Sequence, residues 1–388
     1  MAGATHDTDL AAGYKEALEK AITEVIRPDA GQVDARGEFP SRGLDALAKA
    51  GILGLASAQE VGGAGHSLRT AASVIERLAM ECGSTAMVTL MHYAATAVIE
   101  AHGPREIRSA ISRGEHLTTL AFSEYGSRSH FWSPVGTANR GDDTTVRLDA
   151  KKSWVTSADH ADSYVWSSRP VSAEGAMTLW LVPAKTPGLV VAGPFDGLGL
   201  RGNGSRPMSA ENLRVPADAQ MAGDGAGLDV ALTTALPWFL VLNSAFCLGL
   251  AESAVEEARR HLTVTRLRHT GAVLRDAPVT RRDFARLRVR TDALRALLDD
   301  TLAARENERE DAIFRVLEIK AFAGEVAAEV TDGAMQLCGG GAFRKELGLE
   351  RTFRDSRAAR VMAPTTDALY DFVGRLYTGM PLMDEGNR

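Results

Sequence analysis

Cysteine is scarce. Cys82, Cys247 and Cys338 are the only three in 388 residues, far apart and without C-x-x-C spacing. An odd count at such spacing argues against a disulfide framework and against a zinc site, so no metal is expected and a reducing cytoplasm fits. Lysine is greatly outnumbered by arginine, and basic charge is not in excess, the net charge being −6. That balance argues against nucleic acid or an anionic membrane as the main partner. Arg281, Arg282, Arg286, Arg288 and Arg290 still gather; such a run reads as a solvated helix face, with phosphate reception as the alternative. The N-terminus, Met1 to Asp7, is polar and lacks the charged-then-apolar pattern of a secretory signal. The most apolar window, Leu236 to Ala251, is interrupted by Asn243 and Ser244 and falls short of the ~20 residues that cross a bilayer. It reads as a core helix of a soluble protein.

What is present is a long chain with 45% hydrophobic residues, enough for two or three packed domains at ~100–200 residues each. From about Leu10 to Arg113 apolar residues recur at helical spacing, as in Leu44-Leu47-Ala48-Ala50-Ile52 and Ala71-Val74-Ile75-Leu78-Ala79. Gly62-Gly63-Ala64-Gly65 lacks the strand–GxxxxGK[ST]–helix context of a phosphate cradle and reads as a connector. Near Leu117 the texture changes to short β-branched and aromatic runs, such as Ser163 to Trp166 and Met177 to Val182. Regular turns between them suggest an antiparallel barrel or sandwich. After Gly227 the helical period returns to about Tyr377. The expected domains are residues 1–116 (helical), 117–222 (β-rich) and 223–388 (helical).

Two constellations carry chemistry. The first is Gln336-Leu337-Cys338-Gly339-Gly340-Gly341, followed by Glu350-Arg351-Thr352-Phe353-Arg354-Asp355-Ser356-Arg357 and Met362-Ala363-Pro364-Thr365-Thr366-Asp367. The second is Phe122 to His130 together with Leu148 to Ser157. The first resembles the closing signature of the acyl-CoA dehydrogenase family, Q-x-x-G-G, E-R-x-x-R-D-x-R and a loop reading E-G-T. The second resembles the family's T-E-P-x-A-G-S-D and L-N-G-x-K-x-W-I-T-N. The resemblance extends over nearly the whole chain. It implies an α+β architecture of an N-terminal helical domain, a middle antiparallel β-domain and a C-terminal four-helix bundle, assembled as dimers or tetramers.

By that resemblance FAD is the cofactor, held by Ser123, Ser129, Trp154, Thr156, Gln336, Gly339, Gly340 and Thr365, with Gln336, Gly339 and Gly340 supplied across a subunit interface. The substrate it implies is an acyl thioester on coenzyme A or a carrier protein, with an electron-transfer partner. Physical logic runs parallel: an electron-poor ring wants an aromatic wall, its potential is tuned by hydrogen bonds, and Trp154 and Thr156, two apart on a strand, share a face. The bland reading of Trp154 is ordinary β-domain core, and that of the glycines a helix end and turn.

Departures from the family pattern bear on the reaction. The loop's Glu, the family's usual base for the substrate α-proton, is Ala363 here, and the Gly after it is Pro364. Some relatives carry the base on an earlier helix; counting back from Gly249 gives Phe239 and Leu240. The family's R-x-x-F-G falls on Leu267-Arg268-His269-Thr270-Gly271, with Arg266 or Arg268 close enough to compensate. Loss of a general base removes ~10²–10⁴ in rate. Candidate substitutes are His130, an imidazole able to serve as a base or else to cap a loop; Asp367, which could instead open the last helix; Glu124; and His92, which reads as core. Phe131, Trp132, Trp238 and Phe239 suggest an apolar site. Three readings follow: an FAD-dependent oxidoreductase with a divergent site, a flavin-dependent monooxygenase on the same fold, or a non-redox enzyme or binding scaffold.

Overall fold

The computed structural model describes residues 13–128 and 130–383. The apolar periodicity of the first segment becomes α1 (Arg27–Arg36), which continues a helical stretch from residue 13, then α2 (Ser41–Lys49), α3 (Leu68–Ala79), α4 (Gly83–His102) and α5 (Arg105–Ser112). Helix α3 buries Ala71, Val74, Ile75, Leu78 and Ala79, the stripe that its spacing predicts. Helix α4 is buried on nearly every face from Gly83 to Ile99, as a helix apolar all round must be.

The middle segment holds β1 (Thr118–Ala121), β2 (Thr137–Arg140), β3 (Thr145–Val155), β4 (Ser163–Ser168), β5 (Thr178–Pro183), β6 (Leu189–Val191), β7 (Arg206–Pro216) and β8 (Gln220–Met221). They form two four-stranded sheets, ordered β1-β4-β5-β8 and β2-β3-β7-β6. All pairings are antiparallel except β1 with β4, which run parallel. Strand β4 is buried at every residue. Tyr164 and Trp166 enter the core between the sheets, whereas Val165 enters the helical core; the period-two alternation of a strand sends neighbours to opposite faces. The first sheet is thus a partition between the helices and the second sheet.

Strands β3 and β7 are the long pair, in register at Val146–Val215 and Leu148–Leu213. Between Lys152 and Val155 strand β3 carries one residue more than its partner. Such a bulge twists the strand and re-aims a side chain, and here it lies beside Trp154.

The last segment is α6 (Gly227–Val230), α7 (Leu236–Val264), α8 (Pro278–Glu306), α9 (Ala312–Cys338), α10 (Leu349–Ser356), α11 (Ala358–Val361) and α12 (Thr366–Tyr377). Helix α9 packs against α7, α8 and α12 to make the bundle. The helical stretch Gly227–Val264 runs unbroken for 38 residues, longer than its apolar run suggests, so by length and composition it could cross a membrane; 78% of its apolar window is buried inside the protein. Its surroundings are the other helices, and it is a core helix here. Cys82, Cys247 and Cys338 are buried free thiols.

Helices α3 and α7 meet at Gly249, where a β-carbon would lie 2.2 Å from the Glu76 carbonyl oxygen and 2.8 Å from the Ala79 β-carbon. Arg295 bridges the same helices from α8, donating to Glu76 at 2.6 Å and to Glu252 at 2.9 Å. Gly249→Ala should therefore destabilise the fold by about 1–3 kcal/mol through overpacking, read as a lowered urea midpoint. An unchanged midpoint would mean the two helices have room to part.

Candidate active site

A cleft of about 670 Å³ opens where the first sheet, the end of β3 and the start of α7 converge with α10 and α11. Its lining divides by chemistry. Met91, Leu120, Phe131, Leu236 and Phe239 are buried and apolar, with Ala231 and Ala235 between them. Phe131 stacks on Phe122 at 6.3 Å and meets Trp132 edge-on at 5.3 Å, so Trp132 backs the wall without lining it. Trp238 is half-buried and outside the lining.

Other lining residues are polar. Thr156 Oγ1 lies 3.0 Å from Ser205 Oγ, and the Ser205 amide donates to Asn203 Oδ1 at 3.0 Å. Ser123, Ser153 and Trp154 join them. Trp154 is 63% exposed, so the core reading of this residue fails; its indole meets Phe195 edge-on at 6.1 Å and forms a flat wall at the mouth. Three arginines, Arg128, Arg354 and Arg357, also line the cleft. Arg354 is spent on Asp34, at 2.8 and 2.6 Å, and on Glu350 at 2.8 Å. Arg357 differs: its Nε and Nη2 are buried without a hydrogen bond, Asp332 Oδ1 lies 4.0 Å from Nη2 as a loose ion pair, and its guanidinium lies 3.9 Å from the Phe353 ring centre.

Ser123 and Trp154 come together through a buried ion pair. Lys152 Nζ donates to Glu124 Oε1 at 2.7 Å and to the carbonyl and hydroxyl of Ser167 at 2.7 and 2.9 Å. The other Glu124 oxygen accepts from the amides of Val135 and Gly136. Backbone bonds from Tyr125 to Lys151, at 2.8 Å, and from Ser153 to Ser123, at 3.0 Å, add residues 123–125 to the edge of β3. Burial pulls Lys152 below the usual lysine range, opposed by the charge of Glu124. Glu124 lines the cleft, but its oxygens are committed to this pair and to two amides, so it is not the free base that the sequence offered.

The other candidates lie elsewhere. Ala363 lines the cleft and presents a methyl group. Asp367 is exposed in the first turn of α12, and Thr365 is that helix's N-cap, accepting from Ala368 N at 3.3 Å. His130 is exposed, donates Nδ1–H to Ser127 O at 2.8 Å and sits edge-on to Trp132. It caps its own loop outside the cleft lining. Ser129 lies outside the described residues. Gln336, Gly339 and Gly340 are exposed at the end of α9 and do not line this chain's cleft. Gly339 has φ +56° and open space around its α-carbon, a conformation that suits glycine. Phe239 lines the cleft and Leu240 is wholly buried, so neither position offers a carboxylate. Leu267 and Thr270 sit in an exposed turn, where Arg266 donates to Gly271 O at 3.3 Å. Among the described cleft-lining residues Glu124 is the one carboxylate, and no histidine is present.

Residues that sequence reasoning passed over are Arg357, Asn203, Ser205 and Phe195. Arg357 was visible as the last letter of E-R-x-x-R-D-x-R. The other three follow from how the 195–205 segment folds back on β3, which no local spacing announces.

Residues 10–113, 119–213 and 225–377 match the acyl-CoA dehydrogenase N-terminal, middle and C-terminal domains respectively. The chain belongs to the acyl-CoA dehydrogenase superfamily. It is 27% identical over 378 residues to cyclohex-1-ene-1-carbonyl-CoA dehydrogenase of Geobacter metallireducens, covering 94% of this chain and 96% of that one. The fold is similar to butyryl-CoA dehydrogenase from Megasphaera elsdenii, with TM-score 0.89, 19% identity and 95% and 98% of the two chains covered. It is also similar to the prolyl acyl carrier protein oxidase AnaB, with TM-score 0.87, 18% identity and the same coverage.

His92 is settled by its bonds. The Thr118 amide donates to Nδ1 at 3.2 Å, so Nε2 carries the proton and donates to Leu53 O at 3.1 Å. Burial pushes this imidazole down to about 4. An unfolded histidine titrates near 6.5, so as pH falls from there the unfolded chain takes up a proton that the folded chain refuses until about 4. Stability from this residue is therefore complete above pH 6.5 and falls by about 2–3 kcal/mol at pH 4.5. Urea unfolding at both pH values should show that extra acid sensitivity in the wild type and not in His92→Gln; equal sensitivities would refute it.

Proposed function

We propose that this chain is an FAD-dependent oxidoreductase acting on an acyl thioester, on coenzyme A or a carrier protein, with an active site that lacks the usual base. The carrying observation is the mixed lining of the cleft: a flat indole, paired hydroxyls and a guanidinium with buried N–H groups that make no hydrogen bond, together with a set of buried apolar side chains. These residues fit a flavin. Trp154 would cover a ring face, Thr156, Ser205 and Ser123 would take its polar edge, and Arg357 would meet negative charge. FAD, when bound, supplies the two-electron acceptor for a hydride. The names of the relatives support the thioester class, since they act on cyclohexenecarbonyl-CoA, butyryl-CoA and a prolyl carrier protein.

The chain's own residues then exclude water from the acyl end and hold the thioester beside Ala363, whose methyl cannot accept a proton. One observation favours a second reading, a flavin-dependent monooxygenase: oxygenation by reduced flavin does not need that carboxylate. The exposed Gln336, Gly339 and Gly340, placed outside their own chain's cleft, support an oligomer in which one copy completes the cleft of another. The buried free thiols suit a reducing compartment.

The visible spectrum of purified protein with and without added FAD is the first test, with flavin bands near one equivalent expected. A colourless protein that takes up no FAD would support the non-redox scaffold. With FAD bound, slow anaerobic bleaching by acyl-CoA is expected, and oxygen consumption driven by a supplied reductant would favour the monooxygenase. Ala363→Glu should then speed anaerobic bleaching about 10²-fold or more. No gain in a folded, flavin-loaded variant would mean that position 363 does not face the α-proton.

A further inference from the structure

Eight lysines occur in the sequence, and all lie among the described residues. Six are exposed, while Lys152 and Lys320 are buried. Burying an ammonium group is costly unless it is paired and hydrogen-bonded. Lys152 has the carboxylate of Glu124. Lys320, on α9, has backbone instead: Nζ donates to the carbonyl oxygens of Met362 at 2.9 Å and Pro364 at 2.7 Å. Those two carbonyls bracket Ala363, and Met362 and Ala363 both line the cleft.

Among the described residues, the groups placed near Lys320 and the loop that it grips include the following. Helix α7 presents Cys247, whose thiol is pushed up to about 12 by burial and so stays neutral, and Asn243, whose Nδ2 lies 3.8 Å from Met362 Sδ. From α11, Arg360 packs one turn further along α9, against Gly324, with its charge exposed. From α12 comes the buried hydroxyl of Thr366. None is an anion. A compact ammonium on a long apolar stem reaches two converging carbonyls in a way that no neutral side chain matches, and a charged donor makes the stronger bond.

We propose that Lys320 is a positioning residue, clamping residues 362–364 to α9 and so fixing the cleft wall at Ala363. Its importance for the reaction rests on the cleft being the flavin and thioester site; the clamp itself does not. Burial pushes the Lys320 ammonium down to about 7. The charge is therefore present on the acid side and lost as pH rises through that value, leaving a neutral amine with weaker bonds to the same carbonyls.

Hydrogen exchange on the full chain without ligand tests this. In Lys320→Met the amides of residues 361–363, 365 and 366 should exchange about tenfold faster than in the wild type, after correction for intrinsic rates, with the rest of α9 and both sheets unchanged. Lys320→Arg keeps charge and donors and should stay within about threefold. Wild-type protection of 361–366 should fall between pH 6 and 8.5, and Lys320→Met should show no such dependence. Unchanged exchange in a folded Lys320→Met, or wild-type protection flat with pH, would overturn the clamp. Should Lys320→Met fail to fold, the wild-type pH series and Lys320→Arg decide. In the same proteins FAD uptake should weaken about tenfold in Lys320→Met and hold in Lys320→Arg. A wild type that takes up no FAD defeats the functional reading while the exchange result still decides the clamp.

Discussion

The first β-sheet has no solvent face, and most of the architecture depends on that. Val165, Leu179 and Leu181 point into the helical core, while Tyr164, Trp166, Trp180 and Val182 point into the core between the sheets. Apolar burial contributes roughly 25 cal/mol per Å² of surface removed from water, and a sheet buried on both sides gains it twice. The β-domain is thereby held against α4 and α6. The cleft forms at the rim of this partition, where helical core gives way to strand ends, and so its lining mixes buried apolar side chains with polar ones.

Two buried lysines flank that cleft and are compensated in different ways. Lys152 has a full opposite charge and satisfies its remaining donors on Ser167. Lys320 has only the negative ends of two peptide dipoles. Removing a charge from water is expensive, and repayment depends on geometry. A carboxylate partner makes the first site a rigid joint between the 122–136 segment and β3. Carbonyl partners leave the second dependent on the protonation of one nitrogen. The departure at Ala363 therefore sits in a loop whose placement is strongly specified even though its carboxylate is gone.

Much of the scaffold was legible because it is written in local periods. The stripe on α3, the short runs that became β4 and β5, and the N-cap at Thr365 each depend on residues within a turn or a strand of one another. The family signatures brought Ser123, Trp154 and Thr156 to one cleft. Less legible were the residues whose roles depend on distant partners. Glu124 looked like a free acid because Lys152 is 28 positions away, and His92 reads as core from the sequence, but the two bonds that fix its tautomer come from Leu53 and Thr118, far off in sequence. The single parallel pairing, β1 with β4, also depends on a long connection that carries no local mark.

The sequence by itself determined the order helix–strand–helix, the family, and the absence of a carboxylate at position 363. Each follows from the identity and local spacing of side chains. Only the tertiary structure decided that Trp154 faces solvent at a cleft mouth, that Glu124 is spent on Lys152, that Arg357 keeps buried N–H groups that make no hydrogen bond, and that Lys320 grips the loop around Ala363. Those are facts about which charge meets which dipole after burial, and burial is a property of the packed chain rather than of any segment within it.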